Sequence, residues 1–560
     1  MDKIWLASYP PGVPETIAPP RHQSLVELVD AACREFHDRP ALGNFGTQID
    51  YTTLARRSRD VAAYLQAVCG VEPGDRIALM MPNMLAYPVV LLGALRAGAT
   101  VVNTNPLYTS AELAHMLEDA GVKVLIVFAQ ALHTVAALPH VHRPAHLIVA
   151  SLGDCMPRWK GCLFNALAGR RAAGRTAAPA SSVKLSTALA HGAGLDFIAP
   201  TISADKIAFL QYTGGTTGRP KAAMLSHGNI VANVTQVSAW FHDHTERGHE
   251  VVITALPLYH IYALTTNCFA TLAAGGLVYL ITDPRDLKRF VKELSRVPFT
   301  TMTGVNTLFS ALLDHPDFAQ LDFSRLKFTS AGGMAVQRVV AERWQAVTGC
   351  VLAEGYGLTE ASPVVTVNRH DVDTFTGSIG LPVPSTEIAI IDEDGRELGV
   401  EEAGELLVRG PQIMQGYWND DSETTRVLDA DGWLHTGDIA RIDSAGYLYL
   451  VDRKKDVIVV SGFNVYPTEI EDVVVAHPGV REAAAIGEAD THSGESVCLV
   501  VVRADPTLTE EDVVRWCRER LTGYKIPRRV AFADALPKSP VGKILKRDLR
   551  ERYAEKALAP

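Results

Sequence analysis

The chain has 560 residues, 47% hydrophobic and 21% charged, with 53 Lys+Arg against 63 Asp+Glu for a formal net charge of -10. That length implies several structural units at roughly 100–200 residues each. The ordinary balance of residue types excludes wholesale disorder, a collagen and a disulfide miniprotein, and the negative charge excludes a global basic footprint for nucleic acid. Eight cysteines lie scattered without a CxxC pair, so neither a zinc ribbon nor a redox pair is indicated, and the usage suits a reducing compartment. Residues 1–20 lack the apolar stretch of a signal peptide. The expectation is a cytoplasmic protein with no nucleic-acid partner.

Along the chain, strand and helix alternate first. Residues 76–81 form a short apolar run, residues 83–97 predict a helix ended by Gly98, and residues 100–103 a second strand. Ser110 reads as the N-cap of a helix over 111–120 that stops at Gly121, followed by a third strand over 122–128. Strands spaced by helices of this length predict parallel sheets built from βαβ units, hence an α/β fold. Residues 156–194 break the rhythm. They are rich in Ala and Gly and carry Arg170, Arg171 and Arg175, which reads as a flexible surface insertion, with contact to an anionic membrane face as the lesser reading. Residues 251–282 contain no Asp, Glu, Lys or Arg. A membrane span needs ~20 mostly apolar residues, but Pro257, His260, Asn267, Gly275 and Gly276 interrupt this run, so it predicts a buried strand, loop, helix, turn and strand. Residues 286–295 then predict a helix, 297–303 a strand and 306–313 a helix. Residues 377–450 carry short β-type runs around Asp394-Gly395 and a turn at 443–446, the pattern of a small β module. Beyond Arg453 lies an α+β segment with helices over 467–476 and 510–521.

The most informative stretch is Tyr212-Thr213-Gly214-Gly215-Thr216-Thr217-Gly218-Arg219-Pro220-Lys221. Glycines let backbone N–H groups approach an anion closely, the threonines add hydroxyl donors, and Lys221 adds a point charge. The set suits a di- or triphosphate. It is not a Walker A loop, which needs Gly directly before Lys and Ser or Thr directly after; here Pro220 precedes Lys221 and Ala222 follows. Apolar runs at 207–212 and 222–225 flank it, so it predicts a strand–strand connection with the next helix starting near Ser226.

This loop closely resembles the phosphate loop of the acyl-adenylate-forming enzymes: acyl-CoA synthetases, luciferases and the adenylation domains of peptide synthetases. Glu354-Gly355-Tyr356-Gly357-Leu358-Thr359-Glu360 resembles that family's second motif, and Ala331-Gly332-Gly333 its adenine-lining loop. By this resemblance Tyr356 stacks on adenine beside Gly332 and Gly357, Thr359 contacts phosphate, and Glu360, with Thr216, holds Mg²⁺. Trp433-Leu434-His435-Thr436-Gly437-Asp438 resembles a third motif, which assigns Asp438 to the ribose hydroxyls. Asp452-Arg453 falls at the family's hinge, with Asp452 as the pivot and Arg453 as a ribose or phosphate contact. The resemblance therefore implies a large N-terminal AMP-binding domain over 1–451, comprising two sheet subdomains and the β module at about 377–450, and a small mobile C-terminal domain over 453–560.

Near the end, Lys538-Ser539-Pro540-Val541-Gly542-Lys543-Ile544 resembles the family's catalytic-lysine motif, so Lys543 is assigned to the carboxylate and the α-phosphate. Gly462 falls in the loop expected to line the path of CoA, and His260 at the junction of acyl group and thiol. Residues 515–556 carry an excess of Lys and Arg on an otherwise acidic chain, which suits a polyanion such as CoA. The wording around 305–313, 377–418 and 541–552 is most similar to bacterial long-chain fatty-acyl-CoA synthetases. Two departures stand out. Ala222 replaces the usual Gly after the loop lysine, where a methyl threatens to crowd the loop, and Leu264 stands where some members have a gating Trp.

The resemblance implies a ligase that takes ATP, a fatty acid and CoA, with Mg²⁺, to acyl-CoA, AMP and pyrophosphate through an acyl-adenylate. The alternatives are a medium-chain or aryl acid ligase, or an enzyme that loads its adenylate onto a carrier protein. Acyl length, a homodimer and weak peripheral contact with the inner membrane face are left open by the sequence. The acyl pocket is expected near 302–308 and 362–367.

Overall fold

Four sheets organise the chain, in a computed structural model that describes residues 3–171, 179, 181–213, 220–461, 463–490, 493–539 and 542–554. A seven-stranded sheet runs in the spatial order Val183–Lys184, His146–Ala150, Val122–Phe128, Arg76–Met80, Thr100–Asn103, Ile207–Thr213, Lys221–Ser226. Its neighbours are parallel except for the last pair, an antiparallel hairpin. A nine-stranded sheet runs Leu381–Pro382, Val364–Val367, Leu352–Gly357, Phe328–Ala331, Thr301–Gly304, Val251–Thr254, Leu277–Leu280, Pro40–Asn44, Thr47–Asp50, parallel through its centre. The central strands are covered on both faces, so they are apolar along their length rather than alternating; Thr100–Asn103 and Leu277–Leu280 are buried at every residue. The helix Ala86–Arg96 is likewise buried all round. It belongs to a core that takes in Leu79 and Phe209 of the first sheet and Leu42, Val278 and Leu280 of the second.

A third sheet, Glu387–Ile391, Gly404–Arg409, Leu434–Ile442 and Leu448–Arg453, is wholly antiparallel. The N-terminal segment seals it: Trp5 is buried, and a Cβ on Gly446 would fall 2.3 Å from its Cα, so only glycine fits there. The fourth sheet forms the small lobe, from Phe463–Val465, Ile458–Val460, Gly494–Arg503 and Val480–Asp490, with Arg529–Phe532 added in parallel to Gly494–Arg503. Pro467–Val475, Glu510–Arg518 and Lys546–Ala554 are its helices. No helix among the described residues is long and apolar enough to cross a membrane.

Several local expectations are corrected. The helix Ser110–Ala120 is capped by Thr109, not Ser110, because Thr109 and Glu112 have the spacing of a reciprocal capping box: each side chain accepts the other's backbone N–H. The 156–194 segment is no loose insertion in its second half. Val183–Lys184 forms a sheet edge, and Leu185–Gly192 packs on the helix Tyr51–Ala67 with Leu185 and Ala188 buried. Its small residues serve that packing, since a Cβ on Gly192 would fall 1.9 Å from the Asp60 carbonyl oxygen. The strand expected over 297–303 spans only Thr301–Gly304. The β sheet expected from 377 starts at Glu387, because Leu381–Pro382 instead pairs with Val364–Val367. The Ala222 methyl is buried in a core cluster with Met80, Val102 and Leu210; the loop that it was expected to crowd lies, over 214–219, outside the described residues.

Candidate active site

The glycine-rich stretch is a hairpin connection. Thr213 pairs with Lys221 and Tyr212 with Ala222, which places both ends of the loop at one sheet edge. Within it, Gly214, Gly215, Thr216, Thr217 and Gly218 lie outside the described residues. The helix His227–Trp240 follows immediately, capped by Ser226 in a box with Asn229. Lys221 Nζ reaches across to Glu423 Oε2 at 2.5 Å and lies 5.7 Å from the centre of the Tyr417 ring. Arg426 holds the same carboxylate oxygen at 2.8 Å. These contacts, Arg426 first and Lys221 second, hold the Glu423 carboxyl down to about 2.

Tyr417 continues the network by donating its hydroxyl to Glu360 Oε1 at 2.7 Å. Glu360 sits in the short turn Thr359–Ala361, fixed from behind by Met414 N–H to its carbonyl at 2.8 Å. No described residue donates to Glu360 Oε2, and no cluster of three metal-ligating side chains exists among the described residues. One carboxylate plus phosphate oxygens and waters is a donor set that Mg²⁺ accepts, so the residues present fit a phosphate-bound Mg²⁺ and not a dedicated protein cage.

A second wall comes from the strand Leu352–Gly357. Tyr356 donates its hydroxyl to Asp438 Oδ2 at 2.6 Å, while Arg453 Nε lies 3.3 Å from Asp438 Oδ1. Burial, then the Asp438 charge, push the Tyr356 phenol well above its ordinary range. Gly357 has no room for a side chain, since a Cβ would fall 2.0 Å from Pro363 O; at Gly332 it would meet the Tyr262 ring at 3.0 Å. These glycines keep the wall flat beside Tyr356.

The small lobe brings its end loop into this space. Lys538 and Ile544 pair across the loop, Ser539 N–H donates to the Lys543 carbonyl at 2.7 Å, and Ser539 Oγ accepts the Lys543 N–H at 3.2 Å. Gly542, at φ 87, presses against the large lobe, where a Cβ would fall 2.8 Å from Thr307 Oγ1. Lys543 is thereby partly buried beside Arg453 and Lys455. Burial, then Arg453, drive its pKa down to about 7, with Asp438 and Asp456 opposing. Two further cations around a desolvated amine make a site short of negative charge. His260 faces the same amine. Burial, then Lys543, push it down to about 4, so it is a neutral imidazole; its ring Nδ1 accepts the Tyr262 N–H at 3.4 Å.

Asp452 ties the lobes. It lies in the strand Leu448–Arg453, paired with Ile439, and its Oδ2 accepts the N–H of Thr468 in the first turn of Pro467–Val475 at 2.8 Å. Gly462 lies outside the described residues. Next to it, Phe463 stacks on Tyr524 at 4.8 Å and stays half exposed.

A cavity of about 1030 Å³ opens from this centre. Gly332, Tyr356, Gly357, Thr359 and His260 line it, and so do Val231, Val234, Ser238, Thr303, Val364 and Val367. It reaches the upper end of small-molecule sites, roughly 300–1,000 Å³. Of the two stretches expected to form the acyl pocket, 362–367 contributes four residues but 302–308 only Thr303; Met302 is buried on the other side of the sheet. Leu264 is fully buried in the π-helix Ala263–Ala270. The sequence missed four contributors. Val231 and Val234 lie on one side of an apolar helix that looks like ordinary core. Tyr417 carries no motif. Glu423 reads as an acidic first-turn residue favoured by the helix dipole, and nothing in it points to Lys221, 202 positions away.

Comparison with known proteins identifies the family. The profile of the AMP-binding enzyme family matches residues 29–418, and that of the AMP-binding enzyme C-terminal domain residues 469–543. The chain is 52% identical over 553 residues to a long-chain-fatty-acid–CoA ligase of Salmonella typhimurium, covering 98% of both proteins. Among solved structures it is similar to ATP-bound MatB from Rhodopseudomonas palustris, with TM-score 0.81, 30% identity, and 95% of this chain and 99% of that one covered. The apo form of the same MatB gives TM-score 0.71 at 30% identity over 94% and 99%. The chain belongs to the AMP-binding enzyme family.

Proposed function

We propose that this protein is an AMP-forming long-chain fatty acid–CoA ligase: it joins a fatty acid to ATP, releasing pyrophosphate, and then passes the acyl group from AMP to the thiol of CoA. The observation that carries the reading is the partly buried Lys543, set with Arg453 and Lys455 among too few anions, where the site meets a large cavity with apolar walls. Polyphosphate supplies the missing charge, and an alkyl chain fills the cavity at about 0.8 kcal/mol per buried CH₂.

In the first half-reaction the fatty carboxylate attacks the α-phosphorus of ATP. Two anions must meet, so the barrier is one of position and electrostatics. Lys543 neutralises the carboxylate and the α-phosphate. Thr213 and Lys221, with Thr216, Thr217 and the glycines of the hairpin, hold the outer phosphates. Tyr356 offers its ring to the purine beside Gly332, Asp438 takes the ribose hydroxyls with Arg453 alongside, and Thr359 donates to phosphate. Glu360 would hold Mg²⁺, which when bound offsets the charge of the departing pyrophosphate. His260, kept neutral, borders the acyl carbon without competing as a cation.

The whole chain is more similar to ATP-bound MatB than to its apo form, with TM-scores of 0.81 and 0.71, which supports assigning the present structure to this half-reaction. In the second, the small lobe turns about Asp452, withdraws Lys543 and presents the Gly462 loop, with Phe463 and Tyr524 as a flat aromatic face beside the path of CoA. The test is acid-dependent ATP–pyrophosphate exchange and CoA-dependent AMP release across acetate, octanoate, palmitate, oleate and benzoate. Palmitate and oleate are expected to give the highest kcat/KM. A benzoate or acetate preference would overturn the acyl assignment, and exchange without CoA-dependent turnover would overturn the thiol acceptor.

A further inference from the structure

The helix Ser110–Ala120 ends against its own electrostatics. Its last turn carries Glu118 and Asp119 and no basic residue, although the negative end of the helix dipole disfavours acids there. Asp119 is nevertheless a meeting point. Its Oδ2 accepts the Tyr212 hydroxyl, and its carbonyl accepts Trp418 Nε1 at 3.0 Å and Asn419 Nδ2 at 3.2 Å. Arg76 fixes the same helix end. It donates to the Ala120 and Gly121 carbonyls at 2.7 and 2.9 Å, and its guanidinium lies 5.9 Å from the centre of the Trp418 ring.

The partners of Asp119 frame the phosphate hairpin. Tyr212 immediately precedes Thr213, where the hairpin opens, and successive side chains of a strand point to opposite faces. Fixing the Tyr212 ring therefore fixes the direction of Thr213, whose Oγ1 donates to the Lys221 carbonyl at 3.4 Å. At the closing end, the Trp418 N–H donates to the Ala222 carbonyl at 2.9 Å. The neighbour of Trp418, Tyr417, holds Glu360, and the helix that follows carries Glu423, the partner of Lys221. Asp119 thus ties the opening strand to the segment that holds the closing one. A glycine-rich connection has much backbone freedom to lose when phosphate binds, and holding both ends beforehand lowers that cost. Asp119 itself lines no part of the cavity.

We propose that Asp119 is a positioning residue for adenylate formation: through the Tyr212 hydroxyl it sets the opening end of the hairpin against the β- and γ-phosphates of ATP. The proposal rests on the AMP-forming reading and deepens it by dividing the nucleotide site in two. The hairpin end held by Asp119 serves the phosphates that leave as pyrophosphate, whereas Tyr356 and Asp438 serve the AMP half. One substitution at the Asp119–Tyr212 contact should therefore weaken ATP and pyrophosphate while leaving AMP nearly untouched.

The test uses the full-length protein in three measurements: palmitate-dependent ATP–pyrophosphate exchange, calorimetric binding of ATP and of AMP, and single-turnover thioester formation from synthetic palmitoyl-AMP and CoA. Tyr212→Phe should raise the KM for ATP and for pyrophosphate about tenfold, the scale of one hydrogen bond to a charged group. The ratio of ATP affinity to AMP affinity should fall by the same factor, and thioester formation, which involves no pyrophosphate, should change far less. Asp119→Ala should behave alike. Asp119→Asn keeps an acceptor for the Tyr212 hydroxyl and should recover most of the loss. The double variant Tyr212→Phe with Asp119→Ala should be no worse than the worse single one, because both remove one contact. A part in packing alone would lower ATP affinity, AMP affinity and thioester formation together. That outcome, or exchange kinetics unchanged in Tyr212→Phe, would overturn the proposal. If Asp119→Ala does not fold, Tyr212→Phe and Asp119→Asn decide the matter. Absence of exchange in the wild type would overturn the AMP-forming reading itself, and the positioning role with it.

Discussion

Lys221 Nζ lies 2.5 Å from Glu423 Oε2, joining the closing end of the phosphate hairpin to a helix 202 residues away. Arg426 pins the same carboxylate, so Glu423 holds Lys221 in place before nucleotide arrives. Lys221→Ala should reduce adenylate formation about 100-fold, the scale of losing one preorganised donor to developing charge. Glu423→Gln keeps an acceptor but weakens a charge-assisted bond. It should raise the KM for ATP about 3–10-fold and leave kcat closer to wild type. Because Glu423 titrates at about 2, the size of that effect should be equal at pH 6 and at pH 8.5. Steady-state kinetics at both pH values check this; a Glu423→Gln effect confined to low pH would contradict the assignment.

The Lys543 amine, at about 7, is largely neutral in the free enzyme at pH 8. Phosphate arriving beside it favours the charged form. ATP binding at pH 8 should therefore take up close to one proton, an uptake that shrinks below pH 6, where the free amine is already charged. Calorimetry in two buffers of unlike ionisation enthalpy measures the count. Lys543→Met should remove it while ATP still binds through the hairpin and Asp438.

Much of this was legible in the residues. Pro220 and Ala222 around Lys221 ruled out a Walker loop, and the apolar flanks gave the hairpin, which the Thr213–Lys221 pairing bears out. The βαβ rhythm of 76–128 gave the parallel sheet, because buried parallel strands write themselves as continuous apolar runs. What stayed hidden depends on partners far away in sequence. Glu423 acquires its role only when Lys221 folds against it. The β module began late because Leu381–Pro382 satisfies its backbone on the larger sheet, a choice no local pattern encodes. The helix Arg158–Arg171 looked like loose Ala- and Gly-rich chain, since its polar and apolar residues show almost no helical periodicity.

The proposed swivel separates the two half-reactions. Lys543→Ala should abolish acyl-adenylate formation from acid and ATP, yet largely spare thioester formation from preformed acyl-AMP and CoA. Asp452→Pro should do the converse, because proline fixes φ at the pivot. That substitution also removes the carboxylate that accepts the Thr468 N–H, a loss of about 1 kcal/mol for a helix cap. Asp452→Ala loses the same cap without the stiff ring and is the control: it should keep thioester formation. Single-turnover assays with synthetic acyl-AMP read each step separately, and equal loss of both steps in Lys543→Ala would exclude the two-arrangement scheme.

The boundary between the lobes should also respond to pH. Glu354 in the large lobe is buried, with its Oε1 accepting the Val336 N–H at 2.9 Å. Burial, joined by the Asp472 charge of the small lobe and opposed by the Val336 N–H, pushes it up to about 7. With the lobes together, the Asp472 charge helps Glu354 hold a proton that it releases more readily once the lobes part, so the present arrangement binds more protons than an opened one. It should be favoured below pH 6 and lose its advantage as pH rises through 6–7, by at most about tenfold in the equilibrium per pH unit for one proton. Glu354→Gln cannot ionise and should flatten the response while keeping the lobes together at pH 8.5. Energy transfer between dyes on exposed engineered cysteines of the two lobes, in a Cys162→Ser background, measures the opening. A response that is as steep in Glu354→Gln as in wild type would show that the pH dependence arises elsewhere.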